Sequence, residues 1–426
     1  MDQESTDSVL VRFQRCGALS QALRHSSFLV NSNNQATVTC ALRTVTQADK
    51  RSLLSPCLYI SSYNLRPAAS TLRTATACGL LNFMRTSQTL ASRIKMTTIS
   101  QYKHYTFSPP ITVHLPDSLS REEFGKLLTS QSNPKAAFTF PALDNWLMRL
   151  LHNFDLQNNE AHPFHKHPYK LRTLEVQAVD WFWRGLRGKE DKLGFMKIQS
   201  KIETDPFVHD GEEKARADWI PGAVFLRGGS VAVLIIVQPE DTQGSDDMHV
   251  ILTVQPRVAA GSLAFTEIPA GMLDGGSLKG TAAQEIEEEA KLKVKEDDLI
   301  NLSELALEDI PATPWTDQAN ATANGSEKIE NSMYPSVGAC DEFIPILLYQ
   351  KRLTRRHMNW LKGKATGLRD EGENITLKLV PLNRAWKEAG RDAKALAAIA
   401  LYENLKKEGR IPEVAQQAEA EPTDLY

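Results

Sequence analysis

Two periods organise the apolar residues of this chain. Stretches of strand character stand at 193–202 (LGFMKIQSKI), 231–237 (VAVLIIV), 345–349 and 375–380 (ITLKLV); the unbroken apolar character of 231–237 predicts burial on both faces, and 345–349 reads as a buried strand. A polar hairpin loop at 240–247 follows the run at 231–237, and 249–254 reads as its partner strand. Helical spacing appears at 118–128, with a Ser-x-x-Glu start, at 143–154 (LDNWLMRLLHNF), and at 392–407 (DAKALAAIALYENLKK), which predicts an amphipathic helix. Segment 295–307 reads as strand-like, 211–217 as a charged turn, 313–332 as a flexible polar insertion, and the tail from 411 to 426 as disordered.

Upstream the pattern changes. Residues 11–96 are rich in Ser, Thr, Ala, Leu and Arg, with Asp49 as the only acid, a composition typical of organelle transit peptides; the first seven residues, MDQESTD, are acidic and argue the other way. The predicted organisation is a disordered or transit-like leader over 1–100, a small helical region over 101–170, and a main domain over 171–410, in a cytoplasmic or mitochondrial protein. With 42% hydrophobic and 24% charged residues the chain has room for two domains, and a net charge of -3 gives no footprint for nucleic acid or a membrane surface. No run of about 18 apolar residues suggests a membrane span. The five cysteines lack CxxC spacing, which predicts reduced thiols and no zinc site.

Three stretches invite chemistry. His162, His165 and His167 lie in HPFHKHP, where two prolines predict an irregular loop rather than a ligand set. Trp181, Phe182 and Trp183 are candidates for core packing, a subunit seam, or stacking on a purine. The third stretch, 267–292 (EIPAGMLDGGSLKGTAAQEIEEEAKL), joins a Pro-Ala-Gly turn and a Gly-rich loop to a helical segment carrying Glu285, Glu288 and Glu289. At i, i+3 and i+4 these carboxylates share one face of an α-helix and repel one another unless a cation lies against them. Oxygen-only donors suit Mg²⁺, with Mn²⁺ as the alternative, and such ions leave positions for substrate phosphates.

This stretch resembles the Nudix box, G-x5-E-x7-R-E-U-x-E-E-x-G-U, where U is a bulky apolar residue. Gly271 matches the opening glycine and the run 285–289 (EIEEE) matches E-U-x-E-E. The loop is one residue short, Ser277 or Gly276 stands where the first Glu belongs, Gln284 replaces the Arg and Lys291 the second Gly. Arg and first Glu are complementary charges that brace the loop in the family, so losing both together strands neither.

The resemblance, closest to plant-type ADP-sugar diphosphatases, implies an α/β fold: a Nudix α/β/α sandwich with a mixed sheet. It implies Mg²⁺-dependent hydrolysis of ADP-ribose or ADP-glucose to AMP and a sugar phosphate by a homodimer. Glu285, Glu288 and Glu289 would hold metal, with Glu373 and Ala270 completing the set and Glu288 also catalytic. In Gln255-Pro256-Arg257 the Arg would clamp a substrate phosphate. Glu342, in a Gly-x-Cys-Asp-Glu turn, would face the substrate, and Glu371, in the loop 363–373, would be the general base. Two alternatives keep the fold: a protein that binds a nucleoside diphosphate without cleaving it, or a hydrolase of another nucleoside diphosphate derivative.

Overall fold

The computed structural model describes residues 95–129, 140–187, 191–242, 247–273, 277–308, 327–368 and 373–415, and a strand pair at 29–30 and 36–37. The rest of the leader, most of the insertion at 313–332, the tail from 416 and Glu371 lie outside the described residues. Contacts divide the chain into Met1–Ser92 and Arg93–Tyr426. In the first unit β1 (Leu29–Val30) pairs antiparallel with β2 (Ala36–Thr37).

The second unit contains two sheets. The first comprises β3 (Lys95–Tyr102), β4 (Tyr105–Leu115), β5 (Lys170–Trp183), β6 (Lys192–Glu203), β7 (Trp219–Ile220) and β8 (Ala223–Leu226), in the order β3-β4-β5-β6-β7 with β8 also on β6. Helices α1 (Arg121–Thr129) and α2 (Pro141–Asp155) connect β4 to β5. Alternation sends Ile111, Val113, Leu174, Val176, Met196 and Ile198 into one core with Phe124, Leu143 and Leu147 of the helices. The Ser-x-x-Glu signal is a reciprocal cap: Ser120 Oγ accepts from Glu123 N at 3.1 Å, and Glu123 Oε2 accepts from Ser120 N at 2.8 Å.

Both expected helices are therefore present, but the region around them is not helical alone. Ile111, Val113 and Leu115 carry the period of a strand, and Pro109-Pro110 interrupts that signal just upstream. Around the three histidines the chain turns, as expected: His165 Nδ1 lies 3.0 Å from Gln157 O, and the ring of His167 stacks on Phe207 at 3.6 Å.

The second sheet is mixed. Its strands are β9 (Ser230–Pro239), β10 (His249–Arg257), β11 (Ser262–Glu267), β12 (Ala270–Met272), β13 (Ile300–Asn301), β14 (Ile346–Leu353), β15 (Ala365–Thr366) and β16 (Ile375–Pro381). The order is β13-β14-β9-β10-β16-β15, with β11 on β10 and β12 on β9; β14 runs parallel to β9, and every other pair is antiparallel. Every residue of β9 is buried. Val231, Val233, Ile235 and Val237 face α3 (Leu278–Glu285), the π-helical turn Ile286–Ala290 and α5 (Arg355–Leu361). Ala232, Leu234 and Ile236 face α4 (Leu302–Leu307), α6 (Leu382–Glu388) and α7 (Ala393–Lys407). The sheet is thus sandwiched between helices, and each fully buried aliphatic side chain contributes about 2 kcal/mol of removed apolar surface.

Segment 295–307 departs from its strand-like reading. Only Ile300–Asn301 pairs with β14, and α4 follows because Asn301 caps it, accepting from Glu304 N at 3.1 Å. Among the described residues no helix is long and apolar enough to cross a membrane.

Candidate active site

Strand β12 pairs with β9 so that Gly271 stands opposite Val231, and Leu273 N donates to Gly229 O at 2.9 Å. This fixes where the box loop leaves the sheet. Ser277 then caps α3, accepting from Gly280 N at 3.0 Å, while its hydroxyl donates to Glu296 Oε2 at 3.2 Å. Glu296 belongs to a 3-10 turn downstream of the box, so a later carboxylate reaches the start of the box helix, where the family pattern would place its first Glu.

The box helix is α-helical only to Glu285 and widens to π over Ile286–Ala290. Such widening is rare and often marks functional positions. It also alters the expected shared face. Glu289 turns inward, 4% exposed, and its Oε2 accepts from Ala270 N at 3.3 Å. Glu285 lies against Gly271 so closely that a Cβ there would sit 1.8 Å from its Oε1. Glu288 accepts from Gln284 Nε2 at 2.8 Å, so the residue in the place of the box Arg holds a box carboxylate. The turn ends at Lys291 in the left-handed region, φ 58° and ψ 32°, a conformation that accounts for glycine in the family pattern.

Pro256 lies within the β10–β11 irregularity between Gln255 and Arg257, where a residue without an N–H costs no ladder bond. Beyond it Arg257 Nε donates to Glu267 Oε1 at 2.6 Å; the Arg side chain is 42% exposed and the Glu 3%. The other oxygen of Glu267 takes Lys394 Nζ at 2.9 Å, and that ammonium also reaches Asp392 Oδ1 at 2.9 Å. Asp392 caps α7 through Lys394 N and accepts from Ile268 N at 3.1 Å.

Electrostatics bind these groups into one cluster. Burial first, then Glu285 and Glu267, push the Glu289 carboxyl up to about 8 against the pull of Arg257 and the Ala270 N–H. Burial opposes the charges of Arg257 and Lys394, yet both are held above their ordinary values, Arg257 chiefly by Glu267 and Lys394 by Asp392 and Glu267. Among the described residues four carboxylates, Glu267, Glu285, Glu289 and Asp392, thus meet two cations, Arg257 and Lys394. Four carboxylates against two cations, with Glu267, Glu289 and Asp392 buried, supply hard oxygen donors that fit a divalent cation such as Mg²⁺ or Mn²⁺. No group of three or more His, Cys, Asp or Glu side chains among the described residues is gathered to hold one ion.

The remaining expected residues are dispersed. Glu342 is 13% exposed on its side chain and is engaged by Arg227 at 2.8 Å and by Ser230 Oγ at 2.5 Å. Ser230 stands opposite Met272, so this bracket adjoins the strand that enters the box loop. Asp341 accepts from Arg227 N at 2.8 Å and from Gly228 N, and burial raises its pKa against those bonds. Glu373 Oε2 accepts from Leu368 N at 3.1 Å, and both residues are exposed. Sequence reading missed Glu267, Asp392 and Lys394. Asp392 carried a signal as a helix cap, Glu267 a weaker one as an acid closing a strand, and Lys394 none.

No family model matches the chain. Over 243 residues it is 34% identical to Nudix hydrolase 14, chloroplastic, of Arabidopsis thaliana, a match that takes in 57% of this chain and 65% of that protein's length, less than two thirds. A solved structure described as an ADP compounds hydrolase matches at 19% identity with a TM-score of 0.28, over 57% of this chain and 99% of that one. The box residues lie on a helix against a mixed sheet between helices, and over the matched residues the chain is similar to that Nudix hydrolase.

Proposed function

We propose that the chain hydrolyses the diphosphate of an ADP-sugar, ADP-ribose or ADP-glucose, to AMP and a sugar phosphate with Mg²⁺, or Mn²⁺ in its place. The observation that carries this reading is the buried Glu289 and the half-buried Glu285 side by side, next to the half-exposed Arg257. A bound divalent cation would neutralise diphosphate charge and acidify water. Glu285, Glu288 and Glu289 would hold it, with Ala270 and Glu373 at its margin, and Arg257 would take a substrate phosphate on its free guanidinium edge. Glu371, on its loop, is the proposed general base, Glu288 the second catalytic carboxylate, and Glu342 a substrate-side residue, in a homodimer.

A second reading, binding without cleavage, draws on Gln284 in the place of the box Arg and on carboxylates not gathered to one point. Release of AMP from ADP-ribose, ADP-glucose and ADP-mannose with Mg²⁺, with Glu288→Gln as control, tests the proposal. Turnover that the variant loses supports hydrolysis; tight binding with no turnover of any of the three selects the second reading.

A further inference from the structure

Lys394 occupies the second helical position of α7, two residues after the cap Asp392. A cation there opposes the helix dipole, and this side chain is only 16% exposed, so its position is electrostatically costly twice over. Two carboxylates offset that cost, Glu267 at 2.9 Å and Asp392 at 2.9 Å. Helix stability does not call for a lysine here, since Asp392 already caps α7 through a backbone N–H.

The division of Glu267 between two cations is the informative feature. Lys394 takes Oε2 and Arg257 takes Oε1 through Nε alone, which leaves the terminal nitrogens of Arg257 without a hydrogen bond among the described residues. A carboxylate with both oxygens available prefers the two-pronged Arg pair, which would turn the guanidinium fork onto Glu267. Fork and phosphate geometry match in the same way, so the fork cannot serve both partners at once.

We propose that Lys394 is a positioning residue: by occupying one oxygen of Glu267 it keeps Arg257 singly bonded and its fork free for the diphosphate of a nucleotide substrate. The inference rests on the nucleoside diphosphate reading above. It also fixes the sign of two separate effects. Removing the ammonium withdraws the fork and weakens diphosphate binding, and it adds net negative charge beside Glu285 and Glu289, so binding of a free divalent cation does not weaken.

The test uses the full chain with Lys394→Met and Lys394→Arg. Mn²⁺ alone is titrated by electron paramagnetic resonance, ADP binding is measured by calorimetry, and kcat and KM are measured on ADP-ribose with Mg²⁺. In Lys394→Met the ADP affinity falls and KM rises, each about tenfold, the scale of a lost charge-assisted bond. At the same time kcat stays within about threefold and Mn²⁺ binds at least as tightly as in the wild type. Lys394→Arg restores charge and returns ADP affinity most of the way. Unchanged ADP affinity, or ADP and Mn²⁺ affinities falling together, overturns the proposal and leaves Lys394 a packing residue. If Lys394→Met does not fold, Lys394→Gln, uncharged but still a donor, is judged by the same two affinities. A wild type that binds ADP and turns over no ADP-sugar defeats the hydrolase reading alone, while the pair of affinities still decides on Lys394.

Discussion

Replacing Glu289 with Gln isolates the electrostatic load of the box helix. The wild-type carboxyl is 4% exposed and its pKa stands near 8 instead of 4.5, from burial first and the neighbouring Glu285 and Glu267 next. A carboxyl raised in the folded state favours folding only while protonated. Its contribution is complete below the unfolded value of 4.5 and is lost as pH rises through about 8. At about 1.4 kcal/mol for each tenfold, that window corresponds to a loss on the order of 3–5 kcal/mol in the metal-free protein. Gln fills the same space, still accepts from Ala270 N, and carries no charge at any pH. Urea unfolding of the two metal-free proteins from about pH 5 to about pH 9 measures the difference. Stabilities near one another at the acid end should separate with rising pH, the variant ahead by several kcal/mol at the alkaline end. Mn²⁺ added there should raise the wild type and not the variant. Parallel curves, or a wild type that gains on the variant as pH rises, would refute the reasoning.

Three further outcomes follow from the geometry. Gly271→Ala must expel the Glu285 carboxylate, since the new Cβ would lie 1.8 Å from Oε1; the side chain can swing away, so thermal stability changes little while Mn²⁺ affinity falls at least about tenfold by titration. Lys291→Gly relieves a left-handed residue at φ 58° and should stabilise the domain by roughly 0.5–1 kcal/mol in urea unfolding, with no change in Mn²⁺ affinity. Arg257→Lys keeps the charge and loses the fork, so KM for an ADP-sugar should rise about tenfold while kcat changes less; a fall in kcat and kcat/KM by the same factor, with KM unchanged, would place Arg257 in the transition state instead.

What could be read from sequence was whatever repeats locally. The buried run of β9, its hairpin with β10, the amphipathic α7 and the carboxylates after the Pro-Ala-Gly turn all declare themselves within about ten residues. The shape of the box helix did not, because a π-helical turn leaves the same residues in the same order and changes only which neighbour each faces. Of the first sheet only 193–202 reads as a strand, and Pro109-Pro110 interrupts the alternation of β4. The network behind Arg257 was invisible for a plainer reason: Lys394 and Glu267 are 127 positions apart, and only the folded sheet brings them together.

The cap Asp392 holds the Ile268 amide as well as its own helix, so the last long helix is tied to the strand that enters the box. During synthesis the box residues leave the ribosome more than a hundred positions ahead of that anchor. A nascent chain halted near residue 390 would already carry every box carboxylate and yet lack the ammonium that shares Glu267 with Arg257. Competence of this pocket is therefore acquired late, and a premature stop between the box and α7 should yield a protein that retains the box and has lost its wiring.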